Sequence, residues 1–177
     1  MSESKPASER PWKAMLQTGV ACHGEILIER RIEDVWRVIP EYYKWVPEHR
    51  LGSRRTIKGE PGRVGEVVEI LKAGAEQPVY AETIRIRPLE IIEGTYKSAN
   101  IVWKVYDRDV SFSRFSDFGV REYCGKTIFC RSMFDQWIPS SEQFVRSRRD
   151  LAEGRDSLAN AMPMLRDLIE EYLRIDE

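Results

Sequence analysis

The last stretch of the chain, residues 156–174, restricts the fold more than any other segment. Leu158, Ala161, Met162, Leu165, Leu168, Ile169 and Tyr172 recur at three- and four-residue steps, which sets them on one stripe of a helix. Arg166, Asp167, Glu170, Glu171 and Arg174 fall elsewhere on it. Such a stripe must be buried against something apolar. Most of the sequence between Gly19 and Trp137 alternates with the period of half-buried strands, so the expected partner is a curved antiparallel sheet closing around the helix. A sheet wrapped on a helix can leave a pocket between them. Asp156 or Ser157 can cap the helix by accepting hydrogen bonds from its free backbone donors. Pro163 breaks the pattern: either the helix bends there, or Asn160 caps a second segment whose first turn tolerates the proline.

At 177 residues the chain suits one domain, read as residues 19–177 behind a flexible N-terminal tail of residues 1–18. The net charge is -1, and the best basic run, Arg146 to Arg149, is followed by Asp150 and Glu153. No nucleic acid partner is therefore expected. No apolar run approaches the roughly 20 residues of a membrane span, so stable membrane insertion is not expected either. Cys22, Cys124 and Cys130 form no CxxC pair and leave one cysteine over in any disulfide scheme, while residues 1–11 lack an apolar signal core. Both points favour the cytoplasm.

Taken in order, residues 19–31 read as a strand with Ile26 and Ile28 on one face and Glu25 and Glu29 opposite. Glu33 and Asp34 open a short helix at 32–39, Pro40 and Pro47 punctuate it, and a second short helix fits 41–45. Tyr42, Tyr43 and Trp45 would plug that end of the sheet. Further strands are expected at 51–58, 64–73, 79–87, 89–97, 101–106, 110–116 and 127–138. Turns fall at Gly59 to Gly62, at Asp117 to Gly119 and at Cys124-Gly125, Gly74 to Pro78 closes the strand at 64–73, and Pro88 stops the one at 79–87. The fold class is α+β, with about seven strands, two short helices after the first strand and a long terminal helix.

That order, with Ile32 to Trp36, Tyr43-Lys-Trp45, Pro47, Gly62-Arg-Val-Gly65, Ala81 to Pro88 and Gly125-Lys-Thr127, resembles the START-related, birch-pollen-allergen-like superfamily (SRPBCC). Within it the likeness is to the polyketide-cyclase/dehydratase-like branch, and it spans nearly the whole chain. The resemblance implies a helix-grip fold. It also implies either a binder of lipids, polyketides, isoprenoids or aromatic metabolites, or a cofactor-independent cyclase, aromatase or dehydratase acting as a lyase or isomerase. The longer, charged segment 105–122 departs from the pattern and leaves strand register open there.

Parity along 79–87 sets Tyr80 and Glu82 on the face of Ile84 and Ile86. A carboxylate on a core face needs an arginine, a phenol, water or a ligand, so Glu82 is either a general base or orienting acceptor in the cavity or one half of a structural ion pair. Arg131 shares parity with Phe129 and Met133. It could bind Glu82 or a ligand carboxylate or enolate if that face is inward, and is merely exposed if Ile128, Cys130 and Phe134 point in. Glu82, Tyr80 and Arg131 form the candidate catalytic set. Tyr96, Trp103, Phe112, Met133, Trp137, Met162, Leu165 and Ile169 form the ligand-binding set, as cavity lining or as plain core.

His23 and His49 have no metal-ligand spacing, and no nucleotide-binding fingerprint or nucleophile elbow is present, so neither metal nor cofactor is expected. Small-molecule binding is the preferred reading, with the enzyme second and a protein-interaction module third. A fold of this kind hosts all three. The oligomeric state is left open.

Overall fold

In a computed structural model of the chain, which describes residues 19–92, 94, 96–108, 112–137 and 158–175, the alternating segments form one curved antiparallel sheet. Its strands are β1 (Gly19–Ile28), β2 (Ser53–Lys58), β3 (Val67–Leu71), β4 (Val79–Ile92), β5 (Tyr96–Asp107), β6 (Phe112–Tyr123) and β7 (Lys126–Trp137). They lie in the order β1-β7-β6-β5-β4-β3-β2, so every neighbour after the first crossing is a hairpin partner. Cys124 and Gly125 both take positive φ, which gives the β6–β7 hairpin a turn whose twist matches its strands. The tail at 1–18 and the caps Asp156 and Ser157 lie outside the described residues.

The first crossover carries the helical corner. α1 (Ile32–Val38) has Glu33 and Asp34 in its first turn, where acids favour the positive end of the backbone dipole, and buries Ile32, Val35 and Val38. A tight turn at Ile39–Glu41 containing Pro40 leads into α2 (Tyr42–Trp45). The Trp45 indole donates to the Val38 carbonyl at 2.8 Å and ties the two pieces together. A further single turn, α3 (Glu48–Leu51), follows Pro47.

The C-terminal helix, α4 (Leu158–Ile175), lays its stripe on this frame: Met162, Leu165, Ile169 and Leu173 are buried with Ile28, Val35, Ile101, Phe118 and Phe129. It runs without a break from Leu158, so a separate start at Asn160 is not adopted. Pro163 sits on the solvent side as the sixth residue, and its missing donor would have faced the carbonyl four residues back. The helix packs mainly on β1, with α1, α2 and β7 as further neighbours. A second apolar cluster, Val68, Ile70 and Ala81 with Val79 and Val105, stands apart on β3 to β5.

Two expectations about strands need correction. Pro88 does not end a strand: β4 continues to Ile92, because the register shifts between Arg87 and Glu90 and a bulge excuses the proline from the ladder. Asp117 to Gly119 is not a turn either but the middle of β6, paired to Ser132, Arg131 and Cys130. β4, β5 and β6 are therefore longer than the sequence punctuation suggests.

Gly52, between α3 and β2, has φ 97°, and a Cβ there would lie 2.4 Å from the Leu71 carbonyl oxygen. Gly62 is also at positive φ (75°) but has nothing within 4 Å of such an atom. Gly52→Ala should therefore lose about 2–3 kcal/mol of stability, and Gly62→Ala about 1 kcal/mol. Urea unfolding of the two variants checks this, and equal losses would contradict the close approach at Gly52.

Candidate functional site

Register decides which side chains meet the helix. On β7, Phe129 is buried in the main core, so Arg131, Met133 and Asp135 share the inner face. Their partners on β6 are Phe118, Ser116 and Arg114. On β5 the inner residues include Ala99, Ile101, Trp103 and Val105, and on β2 Arg54 lies opposite Ile70 of the second cluster.

The inner face is graded. Beneath α4 it is filled: Ile28, Ile101, Phe118, Phe129, Leu165 and Ile169 are each no more than 2% exposed. Further toward β2 it becomes polar and aromatic. Tyr42 marks the border, its ring edge-on to Phe118 (5.1 Å) and to Trp45 (5.2 Å) and tilted against Trp103 at 5.7 Å. Trp103 meets Phe118 edge-on at 5.0 Å, and Phe118 meets Phe129 at 5.5 Å. The Arg131 guanidinium lies 5.3 Å from the Phe118 centroid, within range of a cation–π contact.

Beyond Tyr42 come charges. Arg114 Nε and Nη2 donate to Asp135 Oδ1 and Oδ2, both at 2.6 Å, a bidentate pair across the β6–β7 ladder with the Asp135 side chain only 12% exposed. Arg54 donates from Nη2 to the Val46 carbonyl at 3.4 Å, which draws it toward the α2–α3 corner. Burial raises the Tyr42 pKa above the usual phenol value, against the opposing charges of Arg131, Arg54 and Arg114. The phenol therefore stays protonated and able to donate.

The candidate catalytic set separates. Arg131 is on the inner face. Tyr80 and Glu82 are not, which corrects the parity argument: Thr83 pairs with Trp103 and Arg85 with Val102, so Ile84 is an extra residue that reverses the alternation. Ala81 and Thr83 are buried inward, whereas Ile84 is 37% exposed. Tyr80 stacks on Tyr106 at 5.7 Å, and Glu82 pairs in register with Lys104, which lies over the Tyr106 ring. Both side chains therefore stand on the outer face of the sheet.

Of the ligand-binding set, Trp103, Met133, Met162, Leu165 and Ile169 are in or against the main core. Tyr96 sits outside it, 43% exposed on the outer parity of β5. Phe112 and Trp137 form a cross-strand pair whose side chains lie outside the described residues. Sequence reasoning missed Arg54, Arg114, Asp135 and Phe118. Arg114 and Asp135 share the parity of Phe118 and Arg131, a signal that was available once β6 was read as one strand.

The outer face carries a groove of about 420 Å³, lined by Phe115, Phe134, Val102 and Met133 with Arg85, Asp117, His23 and Ser132. Within that lining the Ser132 hydroxyl lies 2.8 Å from His23 Nδ1, and His23 Nε2 lies 3.2 Å from a Glu25 carboxylate oxygen. The residue types suggest a nucleophile relay, but Ser132 is in mid-strand between β1 and β6, where the neighbouring amides serve the ladder instead of an oxyanion. Cys130, also on that face, is a thiol pushed up to about 11 by burial, so it is not a nucleophile at neutral pH. Among the described residues no cluster of three or more potential metal ligands occurs, and no helix is long and apolar enough to cross a membrane.

The chain thus has the helix-grip fold, a curved seven-stranded antiparallel sheet with a long C-terminal helix packed on it. No family model and no curated protein matches the sequence. Among solved structures it is similar to norcoclaurine synthase from Thalictrum flavum in complex with dopamine and hydroxybenzaldehyde, at 14% identity and TM-score 0.59 over 99% of each chain. It is also similar to the hypothetical protein jhp0584 from Helicobacter pylori (11% identity, TM-score 0.54, 98% of this chain and 94% of that one). Ara h 8.0201 gives 11% identity and TM-score 0.52, over 88% of this chain and 98% of that one.

Removing Arg114 alone would strand the Asp135 carboxylate in a nearly dry position. Arg114→Leu should cost ~3 kcal/mol, whereas Arg114→Leu with Asp135→Leu should recover most of that loss. Thermal and urea unfolding of both single variants and the double variant measures the coupling, and additive losses would mean the pair is not the unit described.

Proposed function

We propose that this protein holds a small hydrophobic molecule between the inner face of the sheet and the C-terminal helix, and that it acts in the cytoplasm as a single helix-grip domain. The observation that carries the reading is the division of the inner face into two buried apolar clusters, with α4 packed mainly over the β1 side. The side of the first cluster nearest the second is made by Trp103, Met133 and Tyr42, a flexible thioether among rigid aromatic rings, which suits an adaptable ligand site. The norcoclaurine synthase complex supports it by analogy, since that protein holds two small aromatics within the same fold.

Pairing among the polar groups favours a binder over an enzyme. Asp135 is chelated by Arg114, and of the three groups expected to move protons or stabilise an enolate only Arg131 remains on the inner side. A cyclase- or dehydratase-like activity stands second on that ground.

Native mass spectrometry of the freshly purified full chain should show a mass increment from a retained apolar molecule. The emptied protein should then bind the neutral fluorophore N-phenyl-1-naphthylamine saturably, and Met133→Trp should weaken that binding by roughly tenfold by filling that side. Absence of both the increment and saturable binding would sink the reading.

A further inference from the structure

The groove on the outer face is built on one register row. His23, Ser132, Asp117, Val102 and Arg85 pair in turn across β1, β7, β6, β5 and β4, so at the usual strand spacing the row runs roughly 19 Å across the sheet. On one side of the row, at the same parity, Phe115 and Phe134 are cross-strand partners and stand as an aromatic wall, with Phe134 39% exposed. On the other side the corresponding pair is Gly119 with Cys130, both small. The wall, the buried Val102 floor and the polar ends together bound about 420 Å³, within the range of a small-molecule site.

Its two charged groups are close without being bonded. Arg85 Nη2 lies 3.9 Å from Asp117 Oδ2, too far for a hydrogen bond, and both side chains are partly open to solvent. The Asn100 amide donates to that same Asp117 oxygen at 2.9 Å and fixes the carboxylate, while Asp117 Oδ1 has no hydrogen bond among the described residues. At the far end of the row His23 and Ser132 are bonded to each other.

We infer that this groove binds an aromatic α-amino acid as its zwitterion: the ring lies against Phe115 and Phe134 over Val102, the ammonium donates to Asp117 and the carboxylate accepts from Arg85. The site is on the face of the sheet opposite α4 and does not depend on the inner-face reading. An α-amino acid carries both charges on one carbon, so its two ends can meet the two members of one loose ion pair at once. A lone anion would also meet Asp117 and a lone cation Arg85, and like charges brought together cost affinity. The guanidinium fork suits a carboxylate, because it offers two parallel donors. The ring supplies burial against two aromatic side chains and gives the site its preference among amino acids.

Protein-observed NMR titration of the full chain with phenylalanine, alanine, phenethylamine and N-acetylphenylalanine separates the ring, the carboxylate and the ammonium. Phenylalanine should bind saturably with a dissociation constant of about 1 mM or lower and move the amide signals of Val102, Asp117 and Ser132. Each of the other three lacks one of the recognised groups and should bind at least about tenfold more weakly. Arg85→Gln and Asp117→Asn should each lower the affinity for phenylalanine about tenfold, with circular dichroism confirming the fold, and phenylalanine should not displace N-phenyl-1-naphthylamine from the inner face. No saturable shift with phenylalanine would overturn the site, as would an analogue that binds equally well, folded variants of unchanged affinity, or displacement of the fluorophore. Failure here leaves the inner-face site untouched, since that site is read by the fluorophore itself. The comparison of the four compounds on the unmodified chain decides the matter even if a variant does not fold.

Discussion

Phe118 is the contact on which the rest of the structure turns. It is almost fully buried on β6, with Tyr42 and Trp103 edge-on from one side and Phe129 edge-on from another, and the Arg131 guanidinium rests over its ring. Each edge-to-face pair contributes about 0.5–1.5 kcal/mol beyond the area it buries. Their more important effect is geometric. Tyr42 belongs to the helical corner and the other rings to the sheet, so the cluster fixes the corner over one end of the inner face and fixes Tyr42 at the boundary between floor and arginines. Without Phe118, the Trp45 bond to Val38 would still hold the corner together, but Tyr42 would lose its ring contact with β6.

The order of elements was legible in the sequence because it depends on local signals. The stripe of Met162, Leu165 and Ile169, the acids that open α1, and the Cys124-Gly125 turn each act within a few residues, and each appears where those signals place it. Strand ends were less legible. A proline normally stops a strand, yet Pro88 lies at a register shift, and the partner strand that creates the shift is not visible from residues 79–92 alone. Asp117-Phe118-Gly119 has the composition of a turn, but pairing on both sides, to β5 and β7, overrides it.

Facing was the least legible property, and the candidate site depends on it. A single extra residue at Ile84 turns Glu82 and Tyr80 away from the helix, although Ile86 does pack inward as the apolar pattern suggests. Parity arguments carry across a strand only while the ladder is unbroken, and a bulge leaves no mark in composition. Arg54, Arg114 and Asp135 were obscured for the opposite reason. Charged residues on an inner face look like outward positions until a pair across the ladder, here Arg114 with Asp135, shows them to be inward. His23, Ser132 and Glu25 carry the same warning: the residue types of a relay lie within hydrogen-bond reach, on a strand surface that offers no stabilisation for the reaction.

A buried ion pair is a poor way to make a protein stable. Well-packed apolar residues of similar volume at Arg114 and Asp135 would hold the sheet as well or better, since the desolvation of two charges consumes most of their attraction. The same holds for the other guanidiniums that face inward. The sheet already has an apolar floor under α4 and a second apolar cluster on β3 to β5, so the inward charges add nothing that packing requires. What the pair does provide is direction. Two parallel hydrogen bonds fix the Arg114 fork across the β6–β7 ladder, and the Val46 carbonyl holds Arg54 toward the corner. Guanidinium groups are thereby fixed in direction at the edge of an aromatic wall, with the charge of Arg114 balanced by Asp135 and the Arg131 guanidinium set against the Phe118 ring.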